Sequence, residues 1–397
     1  MGMINSDVIL SAGTGVKRAK VLCILSTILG HRSAADRLAG ALDVSASAEP
    51  VYLRVGVEAY ADYPAPWWAR LTDPWHSEFI GRAAARRFLE QSFDLLFTNT
   101  WEFAVAFRDV ARRVPAAVIL DAVPATMEAQ LQKQNPGSWK IRIAGHIHRR
   151  AFARAAPAFD LFLPKSSECA QSLQRGYGVP PERCVLALPA QSLNRWIPHP
   201  REYAPPARLL FAGNDFTRKG GEFLLRLLER HLANSFTLTI ASNDPCLEGR
   251  GLPSGVRWIP GLDRARMLPL FQESDIFVFP SRQDFTPEVV AEALAVGLPC
   301  VISEIDGAHD LIRDGQNGYV LPRDAAMEIW AQRLLEIVSA PARLAEMSRN
   351  ARRFAEQNLG SDRFEALIAG VVERLLAMRK GRTPAPPVVR NAWPPVN

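Results

Sequence analysis

The stretch DFTPEVVAEALAVGLPCV (284–301) decides the fold, because its punctuation marks a helix set between two strands. Thr286 reads as an N-cap, Pro287 as the first helical position, and Gly297 as the residue just past the end, where φ is often positive. Upstream DIFVFPS (275–281) and downstream CVISE (300–304) read as buried strands. A strand–loop–helix–strand unit of this kind joins parallel neighbours in a sheet. Three acids, Asp284, Glu288 and Glu292, gather where the helix begins. They mark either a binding site or a decorated surface.

The same alternation runs outward in both directions. Before the middle of the chain, AKVLCILS (19–26), PVYLRVG (50–56), FDLLFTN (93–99), AAVILDA (116–122), DLFLPKS (160–166) and CVLALPA (184–190) read as strands. After it come RLLFAG (208–213), FTLTIAS (236–242), VRWIPG (256–261), DIFVFPS, PCVISE (299–304) and GYVLP (318–322). IPHPREYAPPAR (197–208) carries four prolines in twelve residues and separates the halves as a linker. The expected architecture is α/β, with two Rossmann-like doubly wound domains in tandem. Its boundaries are a tail over 1–18, a first domain over 19–197, a linker over 198–207, a second domain over 208–361, an amphipathic helix over 362–380 and a Pro-rich tail over 381–397.

Bulk properties agree with this division. A chain of 397 residues exceeds one ordinary core, and 48% apolar with 22% charged residues is the balance of a water-soluble globular protein. No apolar run reaches membrane-spanning length, and the first one, over 21–29, leads into GHRSAADR without a cleavage signal, so cytoplasmic residence is expected. Five scattered cysteines read as core thiols. Residues 1–200 hold 23 Lys and Arg against 17 Asp and Glu, whereas residues 201–397 hold 24 of each. The cationic excess is densest in KIRIAGHIHRRAFARAA (140–156), which reads either as a solvated helix face or as a face for an anionic membrane or acidic acceptor. His146 and His148, two apart, do not share a helix face and suggest no metal.

In open α/β sheets ligands bind beyond the carboxyl ends of the strands. FAGNDFTRKGGEF (211–223) is such a turn, with Gly213, Asn214, Arg218 and Lys219 ahead of a helix. Cations at a helix start oppose its dipole, and a bound diphosphate relieves that cost; the glycines permit close backbone approach. In the acidic segment, the N–H groups of Glu288, Val289 and Val290 are candidates to face an anion, Glu292 to accept from ribose hydroxyls, and Asp284 from sugar hydroxyls. Glu288 and Glu292 repel at i, i+4 unless a cation or hydroxyl-rich group lies near. Gly30, in STILGHRSAADR, ends the first strand and is a candidate for close approach to phosphate, with His31 beside it as surface residue or ligand.

These motifs together resemble the GT-B glycosyltransferases of the large retaining family 4. That family carries an acid, seven residues, then Glu, followed by Ala-(Leu/Met)-Ala-x-Gly-(Leu/Thr)-Pro, matched by Asp284, Glu292 and ALAVGLP. Its Gly-x-x-x-x-x-Lys-Gly turn is matched from Gly213 through Lys219 to Gly220. The likeness is specific over 208–325, moderate over 160–190 and weak over the first 130 residues. It implies a nucleotide-diphospho-sugar donor held by Lys219 and Arg218, Asp284 on the transferred sugar and Glu292 on the ribose. It also implies a glycan or lipid-linked acceptor and a final helix that crosses back onto the first domain; with no Asp-x-Asp motif and cations to neutralise the diphosphate, no cofactor or divalent metal is expected. Three departures stand out. Asp284 replaces the commoner Glu; Asn214 stands where many members have Arg; and the usual His of the first domain is missing, with Asp121 nearest its place as catalytic residue, cap or structural acid. A silent nucleotide-sugar-binding subunit, an epimerase and a phosphorylase are the alternatives on the same fold. Contact with the inner face of the cytoplasmic membrane is expected through the basic first domain, and none with nucleic acid.

Overall fold

The computed structural model describes residues 18–27, 31–56, 92–199, 203–261 and 263–379. Two parallel sheets organise them. The first has the order β2-β1-β3-β4-β5, from β1 (Ala19–Ser26), β2 (Ala48–Val55), β3 (Leu95–Thr98), β4 (Ala116–Leu120) and β5 (Leu161–Pro164). The second has the order β11-β10-β9-β6-β7-β8, from β6 (Ala207–Ala212), β7 (Phe236–Ala241), β8 (Val256–Ile259), β9 (Ile276–Phe279), β10 (Cys300–Ser303) and β11 (Gly318–Leu321). The central strands are buried at every position, which is why they read as unbroken apolar runs.

One expected strand is absent. CVLALPA runs beside β5, where Val185 and Ala187 donate to the carbonyls of Phe162 and Pro164, both at 2.8 Å. The ladder stops at a single bridge, Phe162 to Cys184. A continuing parallel ladder needs the N–H of residue 164 to return a bond, and Pro164 has none.

The helices that position the site are α1 (His31–Asp43), α2 (Trp101–Ala106), α3 (Pro124–Gln134), α4 (Trp139–Ala155), α5 (Ser167–Tyr177), α6 (Gly221–Leu227), α7 (Glu288–Ala295), α8 (Pro341–Asn358) and α9 (Ser361–Arg379). Helix α7 ends as its sequence foretells. Leu298 donates to Ala293 at 2.8 Å and Gly297 to Leu294 at 3.0 Å, with Gly297 at φ 69°, the paired bonds of a Schellman motif. Its start departs from expectation. Pro287 is the N-cap and no side chain caps the helix, while Thr286 sits at φ 47°. Tertiary contacts override the local cap preference, because Thr286 donates its N–H to Asp306 at 3.0 Å and Phe285 bridges Asp306.

The chain crosses between the halves twice. Gln191 donates to Leu359 and Ser361 to Gln191, at 2.5 and 3.0 Å, so outgoing and returning strands lie side by side. Beyond the return, α9 packs on α1, and its Ile368, Val371, Val372 and Leu375 join the core cluster that holds Val21 and Leu25 of β1 and Leu38 and Leu42 of α1. Each such side chain contributes at most about 1.5–3 kcal/mol on burial. This helix, the last among the described residues, is thus part of the first core. Of the five cysteines, all free, Cys23, Cys169 and Cys300 are buried as expected, Cys184 is half-buried and Cys246 is exposed.

Candidate functional site

Strand order reverses between β1 and β3 in the first sheet, and between β6 and β9 in the second. Loops leaving strands on either side of such a reversal diverge and open a crevice. In the second sheet those loops are 213–220 and 280–287, the two polar turns singled out in the sequence.

Their glycines are dictated by space. A Cβ on Gly213 would meet Lys219 Cδ at 2.3 Å, so the lysine chain lies across that glycine. Gly220, at φ 85°, would meet the Pro280 carbonyl oxygen at 2.1 Å, and Gly221 the Phe216 ring at 2.0 Å. The turn therefore packs directly onto the loop after β9. As a result Lys219 Nζ reaches Asp284 Oδ2 at 2.5 Å and lies 5.0 Å from the Phe279 ring centroid. Arg218 Nε donates to Asp215 Oδ2 at 2.7 Å, its Nη1 donates to the Gln283 carbonyl and stands 4.0 Å from Asp284. Asn214 turns instead toward the loop after β7, where its Oδ1 accepts from Asn243 N at 3.2 Å.

The start of α7 is tightly held. Thr286 is buried, and its hydroxyl has no hydrogen-bond partner among the described residues. A Cβ on Gly307 would lie 3.1 Å from that hydroxyl and 3.4 Å from Ser166 of the first domain. A β-branched residue at positive φ is strained, and strain of this kind gathers at functional sites. Pro287 is buried, Val289 packs on the second core and Glu292 is half-buried. The amide of Val290 donates to the Pro287 carbonyl at 3.1 Å, so of the three N–H groups expected to face an anion this one is engaged by the first helical turn.

Glu288 spans the gap between the domains. Its carboxylate accepts from Arg37 Nη2 of α1 and lies 3.6 Å from Lys165 Nζ, at the end of β5. Arg37, Lys165 and Glu288 keep only 14%, 9% and 20% of their side-chain exposure, so the ion pairs are largely shielded from water. Two further contacts rim the same face. Ser167 N donates to Asp310 Oδ2 at 2.6 Å, and Gly307 N donates to Glu168 Oε2 at 3.1 Å. Burial and the neighbouring Asp310 raise the Glu168 carboxyl above its usual range.

Asp121, at the end of β4, lies 3.8 Å from His31 Nδ1 at the start of α1. Burial holds the His31 imidazole below its ordinary pKa, opposed by Asp121 and Glu288 and reinforced by Lys165. Asp121, His31 and Lys165 of the first domain thus share one electrostatic neighbourhood with Glu288 of the second, which lies four residues along the chain from Asp284. Gly30 lies outside the described residues.

Sequence reasoning missed Arg37, Lys165 and Asp310, which act only once the two domains meet. One signal was present: Glu288 and Glu292 at i, i+4 called for a nearby cation, and Arg37 and Lys165 supply it for Glu288.

Residues 206–340 match the model of a family described as glycosyl transferases group 1. Among curated relatives, a D-inositol 3-phosphate glycosyltransferase of Rhodococcus erythropolis is 25% identical over 261 residues, 59% of each chain. The matches span 49–59% of the length of the first four such relatives. A sucrose-phosphate synthase from Thermosynechococcus elongatus superposes with a TM-score of 0.74 at 14% identity, over 91% of this chain and 100% of the other. An Anabaena protein, HepE, solved in complex with UDP-glucose, superposes with a TM-score of 0.66 at 16% identity, over 90% and 100%. At such identities the superpositions show the fold, which is GT-B: two Rossmann-like domains, each built on a parallel sheet.

Proposed function

We propose that this chain, whose second domain is a group 1 glycosyl transferase domain, moves a sugar from a nucleotide-diphospho-sugar to a hydroxyl of a glycan, lipid-linked saccharide or small molecule, with retention at the anomeric carbon. The observation that carries the reading is the meeting of Lys219 and Asp284, from the two loops that flank the strand-order reversal of the second sheet. A cation for phosphate and a carboxylate for sugar hydroxyls then stand side by side where a donor's two parts join.

Cleavage of the bond between the anomeric carbon and the phosphate oxygen leaves the electron pair on the diphosphate and an oxocarbenium-like sugar. Lys219 and Arg218 stabilise that leaving charge, with the start of α7 behind them. Asp284 orients the sugar and Glu292 the ribose. The acceptor oxygen forms the new bond on the same face and passes its proton to the departing phosphate. Because two side-chain cations face the diphosphate, the reaction needs no divalent ion; activity abolished by a chelator and restored by manganese would contradict this. UDP-Glc, a structural neighbour's ligand, heads a screen of UDP-, GDP- and ADP-linked sugars for thermal stabilisation. Transfer is then followed by NMR at the anomeric centre. A chain stabilised by none of these donors, or one that inverts the anomer, would overturn the reading.

A further inference from the structure

Helix α4 has a surface that the donor site leaves unused. Its core face is Gly145, His148, Phe152 and Ala155. A Cβ on Gly145 would meet Glu128 of α3 at 2.2 Å, so the two helices pack tightly there, and Glu128 pairs with Arg149 at 3.0 Å. The opposite face carries Trp139, Ile143 and Ile147, exposed at 61%, 52% and 40%. These three are among only eight large apolar side chains exposed among the described residues, so their clustering on one face is a concentration and not a background level. Spaced i, i+4, i+8, they form a stripe about 12 Å long.

Charge tells what covers it. WKIRIAGHIHRRAFARA contains five Lys and Arg and no acid. Arg149 is neutralised by Glu128; Lys140, Arg142, Arg150 and Arg154 pair with no carboxylate among the described residues. Arg150 and Arg154 lie on the same side as the apolar stripe, and Lys140 and Arg142 flank it. Large apolar residues pointing outward within a ring of unneutralised cations are the pattern of a helix that lies in a lipid interface. An acidic polymer would be met by the cations alone and would leave Trp139, Ile143 and Ile147 in water.

The geometry points to α4 as a docking face for an anionic lipid surface, with the helix axis in the plane of the headgroups and Trp139, Ile143 and Ile147 at the acyl boundary. Only the class of acceptor rests on the transferase reading: docking selects acceptors carried on lipid. The contact itself does not.

The test is sedimentation of the full chain with phosphatidylcholine vesicles, with and without phosphatidylglycerol. The chain should pellet only with the anionic vesicles and release as salt is raised. Trp139→Ser/Ile143→Ser/Ile147→Ser and, separately, Lys140→Gln/Arg142→Gln/Arg150→Gln/Arg154→Gln should each weaken binding about tenfold or more, with unchanged thermal midpoints. If the serine variant melts early, the glutamine variant, which removes exposed charges only, decides. Absence of pelleting at low salt, or pelleting by both variants like the wild type, overturns the proposal. So does equal affinity for soluble polyglutamate that the serine substitutions leave intact, which would mark an acidic-polymer site. Vesicle binding without stabilisation by any nucleotide sugar would count against the transferase reading and leave the docking face standing.

Discussion

Glu288, the first residue of α7 in the second domain, accepts a hydrogen bond from Arg37 of α1 in the first, with Lys165 beside it. The acid that opens the donor-side helix is thereby the acid that ties the domains together. Glu288→Gln leaves two shielded cations facing a neutral amide and should destabilise the closed arrangement by about 1–3 kcal/mol. Small-angle scattering should show a larger radius of gyration for the variant. A double-mutant cycle with Arg37→Gln should give a coupling of about 1 kcal/mol or more, and additive effects would contradict a direct interaction.

Lys219→Ala removes the cation nearest Asp284. Donor affinity should fall about 10- to 100-fold, read as lost stabilisation by the best nucleotide sugar. Lys219→Arg should not restore it, because a planar guanidinium does not replace the compact ammonium that reaches Asp284 at 2.5 Å and lies 5.0 Å from the Phe279 ring centroid. Wild-type affinity in Lys219→Ala would remove this residue from the donor site.

Gly220→Ala tests the turn itself. An alanine at φ 85° costs about 1–2 kcal/mol from the left-handed backbone alone, and its methyl collides with the Pro280 carbonyl at 2.1 Å. The thermal midpoint should drop by several degrees or more and Lys219 should lose its register with Asp284. A variant as stable as the wild type, with normal donor binding, would show the loop contact to be dispensable.

His148 gives the chain a predictable response to acid. Buried on the inner face of α4, 5.1 Å from the Trp101 ring, its imidazole is pushed from 6.5 down to about 4. Between those values the unfolded chain binds the proton and the folded one does not. Stability from this group is therefore complete above about pH 6.5 and falls as pH drops toward 4, by up to about 3 kcal/mol. Comparing urea unfolding of wild type and His148→Gln across this range isolates the group, since other acids titrate in both. Parallel pH profiles would refute the assignment.

Much of this was written locally. The alternating runs, the pair Gly297 and Pro299, and the spacing from Gly213 to Lys219 to Gly220 report backbone needs that neighbouring residues satisfy, so they can be read from sequence. Thr286 could not be read correctly, because its cap preference loses to Asp306, twenty residues away. Nor could CVLALPA, whose ladder fails through Pro164 on another strand. Arg37 and Lys165 were silent because their meaning lies in a partner some hundred or more residues distant. The pairing of Lys219 with Asp284 was foreseen as neighbouring turns; that they touch required the fold.

The placement of α9 has a consequence for synthesis. Its residues Ile368, Val371, Val372 and Leu375 wall the core that β1 and α1 begin. At ordinary elongation rates those residues are made on the order of ten seconds after the last strand of the first sheet. Until then the nascent first domain has an open apolar flank, and the ribosome must pass α9 before the core of β1 and α1 can close. An early strand and helix of the first domain are completed by a helix made after the whole of the second sheet.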